Sequence, residues 1–187
     1  MVTAIKIGTF DQGSNAAYVR RLYLLDSATL DGLLDPIRFP NAINSLTIPV
    51  DGLAVSIGTE LTYLDFQPKT CVFNENRNLD SNGYLYEVGF SFDFPRDRFE
   101  IVSWAQSTRY KEYVALWEDY TGTAYITGTN EIGLEVNITR SITALNKMAV
   151  QVSGKMVTPT YYLESVDLSL FFPAADFSFN FSLDFNS

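Results

Sequence analysis

The sequence predicts a mainly β fold: an antiparallel β-sandwich or barrel with one packed α-helix, at about residues 98–110, and a C-terminal extended arm. Three observations predict it. Apolar and polar residues alternate with a period of two through most of the chain, dipeptides typical of turns separate short runs, and a single segment has helical spacing. Parallel βαβ winding is disfavoured because its crossover connections require several helices.

The length of the chain fits one domain with extensions. At 187 residues, the chain would remove about 70% of its unfolded surface from water on folding, enough for a core without metal or disulfide support. We divide it into an N-terminal strand or arm (1–17), a β-sandwich domain with one helix (18–166) and a Phe-rich C-terminal arm (167–187).

Strand signals begin near the start of the predicted domain. Residues 19–25 are rich in strand formers, and residues 53–66 alternate in two stretches. The dipeptide Asp51-Gly52 predicts a hairpin that joins this run to residues 46–50.

The most regular alternation lies in the middle of the chain. Residues 84–94 place tyrosines, a valine and three phenylalanines on one face and polar residues on the other. Asn82-Gly83 predicts a turn just before them. This pattern is typical of a half-buried strand.

A helix is predicted directly after that strand. Apolar residues between Arg98 and Tyr110 recur at helical spacing. Asp97 is the expected N-cap, and Glu100, three residues later, completes a capping-box pattern.

Strands resume after the helix and continue towards the C-terminus. The turn Asp119–Gly122 separates the first two of them. The predicted runs are 113–118, 123–127, 133–139, 148–156 and 161–170.

Composition excludes several classes of chemistry. The chain has no histidine, which removes Ser-His-Asp and Cys-His catalysis and the commonest zinc ligand. Its one cysteine, Cys71, cannot form an internal disulfide or a CxxC pair. A net charge of −9 argues against binding nucleic acid through phosphate contacts. We therefore expect no enzyme activity and no catalytic, cofactor or metal site.

Membrane association is also not expected. No stretch approaches eighteen uninterrupted apolar residues, and residues 1–10 do not have the pattern of a signal peptide. The sequons at Asn137 and Asn180 are interpreted as chance for the same reason.

Two pairs of carboxylates are candidate acid/base pairs for sugar hydrolysis. They are Glu118 with Asp119, and Asp93 with Asp97. Adjacent acids on a strand point to opposite faces, and turn chemistry alone accounts for an aspartate at position 119. We interpret these residues as structural.

An oxygen-rich segment and the aromatic residues are the other candidate binding features. The segment lacks EF-hand spacing, so we interpret it as a flexible polar loop rather than a calcium site. Trp104 and Trp117 could stack on sugars or bases, but core packing is the preferred interpretation, and Cys71 is interpreted as a small buried hydrophobe. The oxygen-bearing residues are Asn74, Glu75, Asn76, Asn78 and Asp80.

The C-terminal arm has the sharpest local pattern. Five apolar residues alternate with polar ones, and such a face must be covered. It is either the last strand of the domain's own sheet or an arm that completes the sheet of a neighbouring subunit, and we favour the arm. The apolar positions are Phe177, Phe179, Phe181, Leu183 and Phe185.

The order of strands, helix and turns resembles a family of structural proteins. Residues 18–24, 82–88, 113–128, 134–136, 149–154 and 159–163 carry the pattern, which covers roughly residues 18–166. It resembles tail-tube-like and head-to-tail ring proteins of tailed phages that infect Bacteroidetes, crAss-like phages among them. The turn at Tyr120-Thr121 and the long Phe-rich end depart from that pattern.

The resemblance implies a virion structural protein of the tail or head-to-tail interface, assembled in the host cytoplasm. Copies would form a homo-oligomeric ring or tube, contact neighbouring tail or connector proteins and enclose part of the conduit for DNA ejection. Double-stranded DNA would pass as non-specifically repelled cargo, because acidic residues repel phosphate. The alternative is a carbohydrate-binding or adhesin-like β-sandwich at a cell or virion surface.

Overall fold

A computed structural model describes residues 18–36, 46–56, 59, 61–80, 83–96, 98–141 and 147–164. The predicted N-terminal strand or arm and the predicted C-terminal arm lie outside these residues. Twelve strands, one α-helix and two short 3-10 helices follow one another in the described ranges. The strands are β1 (Val19–Asp26), β2 (Leu30–Leu33), β3 (Thr47–Ile48), β4 (Leu53–Val55), β5 (Leu61–Asp65), β6 (Cys71–Asp80), β7 (Gly83–Pro95), β8 (Tyr113–Asp119), β9 (Ala124–Thr127), β10 (Glu135–Ser141), β11 (Lys147–Met156) and β12 (Tyr161–Leu163). The α-helix, α1, spans Phe99–Ser107, and the 3-10 helices span Ser27–Thr29 and Val50–Gly52.

The strands form three sheets. A six-stranded sheet has the order β3-β12-β9-β8-β1-β5, a four-stranded sheet the order β10-β11-β7-β6, and β2 pairs with β4. The pairings are antiparallel except for the short one between β3 and β12. The mainly β, antiparallel, sandwich-like fold with one helix is therefore confirmed, and the described strands do not close into a barrel.

Two apolar cores lie on the two faces of the six-stranded sheet. The first contains the inward residues of the four-stranded sheet, the helix and one face of β8. The second contains the other face of β8 together with residues of β2 and β4. All seven residues of β8 are buried because both of its faces are covered. This double burial explains why β8 shows a continuous apolar run rather than alternation.

The alternating run at 53–66 is not one strand. It divides into β4, which pairs with β2, and β5, which pairs with β1 in the six-stranded sheet. The predicted hairpin at Asp51-Gly52 is also wrong: these residues form a 3-10 turn, and β3 pairs with β12 instead of β4. The two halves of the run serve different layers, since Leu53 packs in the second core and Leu64 in the first.

The helix is confirmed but is shorter than predicted. It ends at Ser107, and its N-cap is Arg98, whose side chain makes no capping hydrogen bond. The predicted N-cap is therefore wrong by one position, and Asp97 itself is outside the described ranges. Ile101 and Trp104 bury the inner face of the helix, and the Trp104 indole N–H donates to Thr62 Oγ1 at 3.2 Å.

Buried and half-buried tyrosines make the fold sensitive to alkali. Burial is the main cause that raises the pKa of Tyr23, Tyr113 and Tyr125 from 10.0 to about 12. Below pH 10 these phenols are neutral in both states, so their contribution to stability is fully present. As the pH rises from 10 to 12, the unfolded chain ionises first and stability falls. We expect the free energy of unfolding by urea to drop from pH 9 to pH 11, and Tyr23→Phe to reduce that drop; an unchanged free energy would contradict this.

Candidate functional site

Glu118 and Asp119 are neighbours on β8, but their side chains serve opposite faces of the sheet. Glu118 Oε1 lies 3.4 Å from Arg20 Nη1, and Glu118 Oε2 lies 3.8 Å from Arg21 Nη1. Asp119 faces the turn that follows β8 and takes no part in the two ion pairs of Glu118. The two carboxylates are therefore not arranged to act together on one substrate.

Asp119 organises the turn between β8 and β9. Its Oδ1 accepts hydrogen bonds from the backbone N–H groups of Thr121 (2.8 Å) and Thr123 (3.0 Å) and from the Thr121 hydroxyl (2.6 Å). Its Oδ2 accepts from the Tyr125 hydroxyl at 3.2 Å. Gly122, at φ +85°, supplies the left-handed position of this turn. A buried carboxylate that satisfies four donors has a structural role, as the turn chemistry predicts.

The second carboxylate pair and the polar segment lie on the four-stranded sheet. Asp93 forms an exposed ion pair with Lys147 at 2.8 Å, and Asp97 lies outside the described ranges. The polar segment is strand β6, so its interpretation as a loop is wrong. Glu75 Oε2 accepts from the Thr160 N–H at 2.8 Å, whereas Asn74 and Asn76 lie on the opposite, exposed face. Among the described residues, no group of three or more acids or cysteines could hold a metal ion.

Both tryptophans belong to the first core, as the preferred interpretation states. Trp104 is 6% exposed and Trp117 is 5% exposed. The Trp117 ring stacks on Tyr125 with centroids 4.1 Å apart and lies 4.5 Å from the ring of Phe73. Neither indole is available as a surface stacking platform.

Cys71 is also a core residue, at the start of β6. Its side chain is fully buried, and burial raises the pKa of its thiol well above the ordinary value. A thiol that is both buried and protonated is a poor nucleophile. Asn137, in contrast, is exposed on β10, and Asn180 lies outside the described part of the chain.

One polar cluster was not predicted. It lies on the second-core side of the six-stranded sheet, where β1 and β5 pair Arg21 with Asp65 and Tyr23 with Tyr63. The tyrosine rings stack at 4.9 Å, and Arg21 Nε lies 3.5 Å from Asp65 Oδ1. Burial and the carboxylate of Asp65 raise the pKa of Tyr63. Only the strand register brings these residues together, and they are some forty positions apart in the chain.

The outer face of the four-stranded sheet is an exposed polar surface. It forms an open groove of about 670 Å³ whose lining includes the amides of Asn74, Asn76 and Gln151 and the hydroxyls of Ser91 and Ser153. Acidic residues outnumber basic residues on this face, by three to two. The charged residues of this face are Glu87, Asp93, Glu135, Lys147 and Lys155.

The same sheet has two long edges. Strands β6 and β10 lie at opposite ends of its order, and each pairs with one described strand only. β6 has ten residues and β10 has seven. An unpaired edge presents a row of backbone donors and acceptors to another chain. We therefore take the outer face and its two edges together as the candidate functional surface, and call it the polar sheet.

Comparison of the chain with protein-family models, with curated proteins and with solved structures found no match. Within the ranges that the structure describes, no helix has both the length and the apolar character to cross a membrane.

Proposed function

We propose that this chain is a virion structural protein that self-assembles into a ring or tube in a phage tail or head-to-tail connector. In this assembly the polar sheet continues from one copy to the next and faces a conduit for DNA. The protein would be assembled in the host cytoplasm, act in the virion and contact neighbouring tail or connector proteins.

The observation that carries the proposal is that the two edge strands of one sheet, β6 and β10, each pair with a single strand among the described residues. Because β6 and β10 are different strands at opposite sides of the sheet, pairing β6 of one copy with β10 of the next is a heterologous contact. Repeated with a rotation that is a whole fraction of a full turn, such a contact closes into a ring. On the outer face of the sheet, the side chains of both strands are mainly amides and hydroxyls, with Glu135 as the charged exception among those described, whereas Glu75, Arg77 and Arg140 lie on the other face.

The charge of the outer face supports a DNA conduit. Lys147 and Lys155 are paired with Asp93 and Glu87 at 2.8 and 3.3 Å, which leaves Glu135 as an added acid. Paired lysines offer little to phosphate groups, and a net acidic lining repels them. DNA could then slide past the sheet without being bound.

The groove also favours a second candidate, a carbohydrate-binding β-sandwich. Asn74, Gln151 and Ser153 line it with groups that can hydrogen-bond to sugar hydroxyls. Binding of the purified protein to a glycan array, without any assembly, would favour this candidate over the ring.

Engineered cysteines test the ring directly. In one copy, position 76 on β6 and position 137 on β10 are farther apart than three strand spacings, about 14 Å, which is too far for a disulfide within the chain. We expect the double variant Asn76→Cys/Asn137→Cys, or a neighbouring β10 position that sets the register, to form intermolecular disulfides on oxidation. Non-reducing electrophoresis should show a ladder ending at one closed oligomer, and negative-stain microscopy should show rings.

The controls use the same chain. Asn76→Cys alone can give at most disulfide-linked dimers, because the buried Cys71 thiol does not compete. Failure of every register variant to form a ladder, together with single small particles in the microscope, would reject the proposed ring.

A further inference from the structure

Two exposed apolar patches lie near the two ends of β7, one on the hairpin that β7 forms with β6 and one at the start of α1. The first, the hairpin tip, consists of Leu79 and Tyr84, which face each other across β6 and β7 and are 73% and 56% exposed. The Arg77 guanidinium lies over the Tyr84 ring at 4.9 Å. The second, the helix start, is Phe99, which is 82% exposed, with the adjacent bases Arg96 and Arg98.

The hairpin tip is apolar because its side chains continue the inner face of the sheet beyond the core. Tyr84 lies on the same face of β7 as Phe90 and Phe92, which are buried against the facing sheet. Leu79 and Tyr84 are left exposed because the facing sheet does not cover them. Within the part of the chain that the structure describes, these two side chains are therefore only partly removed from water.

The two patches lie at opposite ends of one strand. The hairpin tip adjoins Gly83, the first residue of β7, and Phe99 follows four residues after its last residue, Pro95. Thirteen residues at about 3.3 Å each give a separation of about 40 Å. Two patches so far apart on one rigid strand cannot meet in one copy, but they can meet between copies aligned along the strand.

Charge at the two ends is complementary. Residues 95–112 carry four bases and three acids, whereas the rest of the chain carries nine bases and nineteen acids. Residues 74–87, which contain the hairpin tip, carry three acids and one base. The basic end therefore favours the acidic end of another copy, whereas two like ends would repel each other.

From these observations we propose that copies of this chain stack head to tail, with the hairpin tip of one copy against the helix start of the next. This stacking rests on the proposed function. If the edges of the polar sheet form the ring, the ends of its strands face the rings above and below. One sheet thus supplies two perpendicular contacts: β6 to β10 around the ring, and hairpin tip to helix start between rings.

The test uses the full-length chain with Leu79→Ser, Phe99→Ser and the matched control Leu46→Ser, which removes a leucine that is 47% exposed elsewhere. Negative-stain microscopy and sedimentation velocity measure ring formation and stack length. We expect Leu79→Ser and Phe99→Ser to form rings but at least tenfold fewer stacks, and Leu46→Ser to stack like the unmodified chain. All variants should keep the unfolding midpoint in urea.

Mixing the two variants tests the polarity of the contact. A Phe99→Ser ring keeps an intact hairpin tip, and a Leu79→Ser ring keeps an intact helix start, so a head-to-tail contact predicts pairs of rings and no longer stacks. A contact between two like ends predicts no recovery on mixing. Recovery of ring pairs supports the proposal, and its absence overturns it.

The remaining outcomes separate this inference from the proposed function. Rings that never stack, or that stack equally well in all variants, overturn the head-to-tail contact and leave the ring in place. A chain that stays monomeric at every concentration overturns both. A lowered unfolding midpoint in Phe99→Ser would place Phe99 in a contact within its own chain and also overturn the head-to-tail contact.

Discussion

Replacement of Trp117 by alanine is expected to lower the free energy of unfolding by about 4 kcal/mol. The indole lies between the two sheets, with ring centroids 4.5 Å from Phe73, 5.5 Å from Phe90 and 4.1 Å from Tyr125. Its N–H donates to the buried Thr127 Oγ1 at 3.1 Å. The substitution would leave a cavity among three aromatic rings and remove one hydrogen bond.

Urea denaturation followed by circular dichroism measures this loss, and two variants separate its causes. Trp117→Phe keeps a ring but removes the N–H donor, so we expect a loss of about 1–2 kcal/mol. Tyr162→Ala removes a half-exposed ring that contacts Tyr125 at 5.3 Å, and we expect less than about 1 kcal/mol. Equal losses for Trp117→Ala and Tyr162→Ala would contradict a core position for Trp117.

Local pattern was sufficient to predict the central hairpin strand and the helix. In β7 the residues Val88, Phe90, Phe92 and Phe94 are buried and alternate with exposed or half-buried ones, so the period of two reports one buried face. Likewise, Ile101 and Trp104 recur at helical spacing because one face of α1 packs on the core. Each pattern predicts its element correctly because a single neighbouring layer covers one face of that element.

The alternation of apolar and polar residues did not predict the strands correctly where one stretch of chain contributes to two layers. The run at 53–66 alternates in two stretches, yet Leu53 packs in the second core and Leu64 packs in the core between the two larger sheets. Alternation shows that a face is buried but not against which sheet. The parallel pairing of β3 with β12 joins segments more than a hundred residues apart, and no local signal encodes it.

Strand β6 shows how tertiary context overrides propensity. Asparagine and glutamate are depleted in strands, so residues 74–80 predict a loop. They are held in register by seven of the ten pairings between β6 and β7. An edge strand with one exposed face tolerates asparagine, because the side chain stays in water while the backbone pairs on one side only.

The same reasoning explains why the polar sheet could not be predicted. The residues that form its outer face come from four strands and are individually unremarkable amides, hydroxyls and charges. Their significance depends on which strands are edges and which face lacks a covering layer. Both are properties of topology, whereas the core side of the same strands could be read from their apolar residues.

Replacement of Asp119 by alanine is expected to cost about 3 kcal/mol of unfolding free energy, the second largest effect. The substitution removes the acceptor for two backbone N–H groups and for the Thr121 and Tyr125 hydroxyls. Donors left without partners near a buried position lose more than a hydrogen bond normally contributes. Asp119→Asn keeps one carbonyl acceptor, so we expect it to recover more than half of the loss.

Asp93→Ala is the matched control, because it removes the described carboxylate of the other candidate pair. Asp93 and Lys147 are each about half exposed, and such surface ion pairs contribute less than about 1 kcal/mol. Urea denaturation at pH 7 should therefore rank the variants as Asp119→Ala, then Asp119→Asn, then Asp93→Ala, from least to most stable. If Asp119→Ala were as stable as Asp93→Ala, the turn would not depend on its carboxylate, and the buried acid would need an explanation other than structure.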